Sequence, residues 1–197
     1  KKISELSDCK VIFNGDGSDE VTGGYLYFRK APSNEEFDKE CRKLLSNIHY
    51  FDVLRSDRCI SCHGLEPRTP FLDKQFVETY LRINLDERVS LGKPDKHLLR
   101  ETFKHILPYD IYKRSKEAFS DGVSSKEKSW YQIIQDSITN KVTKSYSHNT
   151  PKTPEQNYYR EIYDRYYTNT GHIIPYFWMP NFIEATDASA RTLKIYN

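Results

Sequence analysis

Three carboxylates, Asp16, Asp19 and Glu20, fall within the segment Asn14-Gly15-Asp16-Gly17-Ser18-Asp19-Glu20. Oxygen ligands at this density suit a hard cation such as Mg²⁺. Gly15 and Gly17 have no side chain, so the backbone there can approach a bulky ligand closely. A nucleotide carrying Mg²⁺ satisfies both features. A glycine-rich turn whose Ser and Asp cap the next helix satisfies them too, and the residues alone leave both readings open.

Three further clusters could supply functional groups. Asp52 and Arg55 stand three apart and would share a helix face, where an ordinary ion pair is the simplest outcome. Pro67 and Pro70 hold an extended loop that presents Glu66 and Arg68 before Asp73 opens a helix. Lys116 and Glu117 follow Lys113 and Arg114, a basic segment suited to anionic oxygen, although a solvated loop has the same composition. Cys59-Ile60-Ser61-Cys62-His63 has the spacing of covalent haem attachment. That reading is rejected, because the only methionine is Met179, the opening residues hold no signal-like apolar run, and the five residues continue a helical pattern. Half a zinc site would need distant Cys9, Cys41 or histidines, so buried structural thiols are expected.

The elements that must position these groups are mostly helical. Residues 10–14 form a short apolar run that stops at glycine, as a strand covered on both faces would. A loop and then helix follow. From Asn34, Phe37, Cys41, Leu44, Leu45 and Ile48 recur at helical spacing behind Ser33 as N-cap. Further helices are expected from Phe51 to near Gly64, Phe71 to Leu81, Asp95 to Ile106, Lys126 to Ile138 and Pro154 to Tyr167, with polar loop at 143–154 and irregular aromatic chain from Gly171. One strand with five or six helices implies that the partner strands of a parallel sheet lie elsewhere.

Composition narrows the class. In 197 residues, 30 Lys and Arg face 28 Asp and Glu, a formal charge of +2 that lacks the basic footprint of a nucleic-acid binder. Four scattered cysteines do not make a disulfide scaffold, and no apolar stretch reaches membrane-spanning length. A soluble, cytoplasmic chain is expected, and a homodimer is one assembly open to it.

Read in order, Val11 to Glu20, Gly24 to Phe28, Phe51 to Arg55, Arg68 to Asp73, Lys96 to Phe103, Lys116 to Gly122, Asn149 to Thr153 and Ala185 to Leu193 resemble the asparagine synthetase family, close to its eukaryotic members. The resemblance implies an α/β fold of the ATP-pyrophosphatase type, of which residues 1–197 would be the C-terminal part of the synthetase domain. It implies ATP and Mg²⁺, with aspartate converted to asparagine through a β-aspartyl-adenylate and ammonia supplied by glutamine hydrolysis. By position it makes Asp16, Asp52 and Lys116 the catalytic groups, Asp19 the Mg²⁺ ligand, and Asn14, Gly15, Gly17, Arg55 and Glu117 the binders of ATP and aspartate. Neither a glutaminase nor a Ser-Gly-Gly-x-Asp-Ser pyrophosphate loop lies in these residues, so the chain is expected to need both, in cis or in trans, and to be inactive alone. A non-catalytic partner or remnant, or another amide ligase of the same type, are the competing expectations. One departure stands out: the family's Ser-Gly-Glu-Gly is here Asn14-Gly15-Asp16-Gly17, and the acid is one methylene shorter.

Overall fold

A computed structural model describes residues 1–117, 123–124, 128–138 and 144–189. They belong to two compact units, Lys1–Lys116 and Glu117–Asn197. Ala118 to Gly122, the expected helix start at Lys126, and the last matched residues from Ala190 lie outside the described residues.

In the first unit, α1 (Lys2–Leu6) leads to β1 (Val11–Phe13), which pairs in parallel with β2 (Glu66–Arg68), Ile12 lying opposite Pro67. The expectation of a single strand, with an extended loop at Glu66 to Arg68, is therefore corrected. Proline argues against a strand because it lacks an N–H. Here the ladder bonds at that level run from Glu66 N to the Lys10 carbonyl at 2.7 Å and from Asn14 N to the Arg68 carbonyl at 3.0 Å, so position 67 has no bond to lose. The expected cover on both faces of β1 is also absent among the described residues: Val11 and Phe13 are 41% and 75% exposed.

The core is built from α2 (Ser18–Thr22), a 3₁₀ turn at Leu26–Lys30 and α3 (Asn34–Asn47). Ser33 caps α3 by accepting from Glu36 N, and Phe37, Cys41 and Leu44 are buried at the helical spacing that the sequence shows. Phe37 packs edge-on against Phe28, with ring centroids 4.7 Å apart. Such contacts add to the burial of each ring.

Next comes α4 (Asp52–Ser61), then α5 (Lys74–Arg82), opened as expected by Asp73 accepting from Phe76 N at 3.0 Å. The short helices α6 (Leu85–Arg88), α7 (His97–Phe103) and α8 (Tyr109–Lys113) follow. Along α4, Val53, Ser56 and Ile60 turn inward, whereas Arg55, Arg58, Cys59 and Cys62 form an outward stripe. The expectation that Cys59 and Cys62 are buried is thus corrected, while Cys41 is the buried thiol.

In the second unit, α9 (Trp130–Ser137) is opened by a capping box between Ser129 and Gln132, and α10 (Pro154–Tyr166) by Thr153 accepting from Gln156 N. Arg160 on α10 is buried beside Tyr146 and donates through Nη1 to the carbonyls of His148 at 2.8 Å and Asn149 at 3.1 Å. The described part of the polar stretch before Pro154 is therefore irregular, as expected, but fastened to the helix.

Candidate active site

At the C-terminal end of β1 the chain turns through Asn14, Gly15, Asp16 and Gly17 into α2. The Asn14 side chain accepts from Asp16 N at 3.1 Å and donates to Ser56 Oγ on α4 at 2.7 Å. This pins the loop that carries Asp16 to the helix that carries Asp52. Gly15 is exposed, and a Cβ there would meet open space. Gly17 is buried in the left-handed region at φ 90°. Asp16 makes no side-chain hydrogen bond or ion pair with the described residues, leaving its carboxylate available.

Asp19, on the first turn of α2, is held between two ammonium groups. Lys96 Nζ lies 2.9 Å from Oδ1 and Lys116 Nζ 2.9 Å from Oδ2, while Lys96 also donates to Ser18 Oγ at 2.9 Å. Burial by itself would push the Asp19 carboxyl up, but the two lysines outweigh it and hold the group below the usual carboxylate range. Gly24 makes room for this arrangement: a Cβ there would sit 2.2 Å from Asp19 Oδ1 and 2.6 Å from Lys96 Cε.

Both lysines are positioned by other parts of the first unit. Arg29 grips Asp95 with Nε at 3.2 Å and Nη2 at 2.6 Å, fixing the residue before Lys96. Lys96 itself takes φ 57° at the N-cap of α7. For a non-glycine residue that conformation costs about 1–2 kcal/mol, and a cation at a helix N-terminus opposes the helix dipole. Lys116 is aimed by Arg100, whose Nη1 donates to the carbonyls of Tyr112 at 2.7 Å and Arg114 at 2.6 Å at the end of α8. Its ammonium also stands 5.6 Å from the centre of the Tyr25 ring, within range of a cation–π attraction.

Behind Asp19, Glu20 is buried and accepts from the Tyr25 hydroxyl. Burial raises the Glu20 carboxyl, the Tyr25 bond opposes this, and the charges of Asp52 and Asp19 raise it further. Burial and the charges of Glu20 and Asp52 likewise raise the Tyr25 hydroxyl. Asp52 is thus close enough to act on both groups electrostatically. It also pairs with Arg55 Nη2 at 2.6 Å, as the helical spacing suggested. Glu117 begins the second unit and is half-buried.

Lys96 is the member of the cluster that sequence reasoning missed as a site residue. The expected helix from Asp95 placed Lys96 within its first turn, whereas the helix begins at His97 and leaves Lys96 at the N-cap.

Asp19 and Glu20 have opposite effects on stability as pH falls. The Asp19 contribution is complete above the ordinary carboxyl value of 3.8 and is lost as pH drops through its lower folded value. The cost of burying ionised Glu20 is present above its raised folded value and disappears below 4.5. Glu20→Gln is expected to stabilise the chain by roughly 1 kcal/mol at neutral pH, with the gain vanishing in acid. Asp19→Asn is expected to cost about 1–3 kcal/mol at neutral pH, with the deficit shrinking in acid. Urea titrations at a series of pH values test both, and parallel pH curves for the two variants contradict the assignment.

The site also limits how a cation could bind. No three metal-ligating side chains converge among the described residues, and Asp19 already has two ammonium partners, so a bare divalent ion does not fit. A phosphate-bound ion does. Mg²⁺ typically takes one or two carboxylates together with phosphate oxygens, and those oxygens would draw the ammonium groups from Asp19.

An acid-rich loop at the C-terminal end of a parallel strand, faced by two positioned lysines, stands where ligands bind in α/β sheets and has the charges to meet an anionic one. The chain belongs to the asparagine synthase family, whose model matches residues 31–173. It is 46% identical to the asparagine synthetase (glutamine-hydrolyzing) of Gallus gallus, 47% to that of Bos taurus and 45% to that of Homo sapiens, in each case over 100% of this chain. The matches include the Asn14 to Glu20 segment, which precedes the family-model region. The chain spans 37% of the length of these relatives. Among the described residues no helix is long and apolar enough to cross a membrane.

Proposed function

We propose that this chain contributes to an ATP-dependent conversion of aspartate to asparagine through a β-aspartyl-adenylate, with ammonia from glutamine, as the C-terminal part of an ATP-pyrophosphatase-type synthetase domain in the cytoplasm. The Lys96–Asp19–Lys116 cluster beside the available Asp16 is the observation that carries the proposal. Adenylation releases pyrophosphate, whose developing charge two ammonium groups can offset. Asp19 would hold the Mg²⁺ carried with the nucleotide, and that ion would neutralise pyrophosphate charge. Lys116 turns to the phosphates once Asp19 has another partner. Asp52, restrained by Arg55, carries negative charge near the reacting end. Asp16 has no competing partner among the described residues and can take the proton that the attacking ammonia must lose.

The deciding experiment joins this chain to the residues of a relative that lie outside the matched stretch, then measures asparagine and AMP formed from aspartate, ATP and glutamine. Equal amounts of both products support the proposal. Nucleotide binding without either product favours a non-catalytic partner, a reading that the short acid Asp16 makes reasonable. In the same assembly, Asp16→Glu is expected to raise asparagine formation by about tenfold, since a reach shortened by roughly 1 Å is costly in rate. Unchanged or lower turnover would count against Asp16 as the proton acceptor.

A further inference from the structure

Cys59 and Cys62 belong neither to the core nor to the acid–lysine cluster. Both are free and exposed, on the outward stripe at the end of α4. Residues three apart in a helix have Cα atoms about 5 Å apart, within the range that a disulfide spans. Cys62 follows the last helical residue but keeps helical dihedrals, φ −63° and ψ −7°, so this spacing persists to the second thiol. Its Sγ points back along the turn, 3.6 Å from the Cys59 carbonyl oxygen. The other two cysteines differ: Cys41 is buried, with its thiol pushed far up by burial, and Cys9 is exposed on the segment before β1. A metal site is not the better reading, because no three ligating side chains converge among the described residues.

We infer that Cys59 and Cys62 form a dithiol–disulfide pair that exchanges with small-molecule disulfides such as oxidised glutathione. The thiolate of one cysteine attacks the small disulfide, forms a mixed disulfide and releases one small thiol. The second cysteine's thiolate then attacks the protein sulfur of that mixed disulfide and releases the other small thiol. Two protein thiols are oxidised, one small disulfide is reduced to two thiols, and the two protons pass to those products. The bond closes a ring over the last turn of α4, between the helix that carries Asp52, Arg55 and Ser56 and the turn leading to buried Leu65 and β2. This places a redox-responsive clasp one helix-length from the candidate active site, and it stands independently of the proposed reaction.

The folded chain is equilibrated in glutathione buffers from reducing to oxidising, free thiols are alkylated, and trypsin cleavage after Arg58 and Arg68 releases both cysteines in one peptide. The expected product in oxidising buffer is that peptide lighter by two hydrogens, without glutathione, and reduction restores both alkylation sites. Cys62→Ser is expected to leave Cys59 carrying one glutathione. The inference is overturned if the wild-type peptide carries glutathione on either cysteine as its main oxidised form, stays fully alkylatable throughout, or if Cys59 in the variant stays unmodified.

Discussion

Lys116→Ala, in the chain joined to the remaining length of a relative, is expected to lower turnover by about 10²–10³-fold while changing the apparent affinity for ATP much less. The lysine is half-buried against Asp19 and Tyr25, and it has a positive charge to offer when pyrophosphate leaves. A positioned cation that acts mainly on developing charge contributes on this scale. Stability should change little by comparison, because Asp19 keeps Lys96 at 2.9 Å. Pyrophosphate release under saturating ATP measures the effect, with a thermal melt of the same sample to exclude unfolding. A loss below about tenfold would show that Lys116 is a structural counter-ion only.

Gly17→Ala is expected to destabilise the first unit by about 3 kcal/mol, the sum of left-handed strain and overpacking. At φ 90° a side chain is strained, and a Cβ would lie 2.3 Å from Leu72 Cδ2 and 2.4 Å from its Cγ. The consequence reaches the site because Gly17 is the N-cap of α2, which begins Ser18, Asp19 and Glu20. Denaturant unfolding gives the magnitude. Adding Leu72→Ala to the variant separates the two causes: the crowding should be relieved and the backbone strain kept. A double variant no more stable than its additive loss would remove the packing explanation.

Local chemistry was what the sequence made legible. Ser33 and Asp73 cap their helices as read because a cap requires only a side-chain oxygen and a backbone amide a few residues away. The Phe37, Cys41 and Leu44 stripe followed from periodicity for the same reason. On α4 the helix was legible but its inward face was not: that face runs through Val53, Ser56 and Ile60, which leaves Cys59 and Cys62 exposed where buried thiols were expected. The strand at Glu66 to Arg68 was hidden by Pro67, whose missing donor proved harmless in its register. Within the site, Asp52 with Arg55 was legible as a helical pair. The bond from Asn14 to Ser56, the two-lysine grip on Asp19 and the membership of Lys96 were not, because each joins distant parts of the chain.

That distance sets the order in which the first unit can mature. Asp19 and Lys116 are 97 positions apart, and Ser18 and Lys96 are 78 apart. Closing such long loops is entropically costly and slow, whereas the helices between them can form from neighbours. A refolding chain should therefore regain most of its helical signal before its lysines acquire their common counter-ion. Far-ultraviolet ellipticity is expected to recover ahead of protection at the Asp19 grip, and simultaneous recovery would contradict this order. The charged centre is then a late product of folding, and its formation marks a finished molecule.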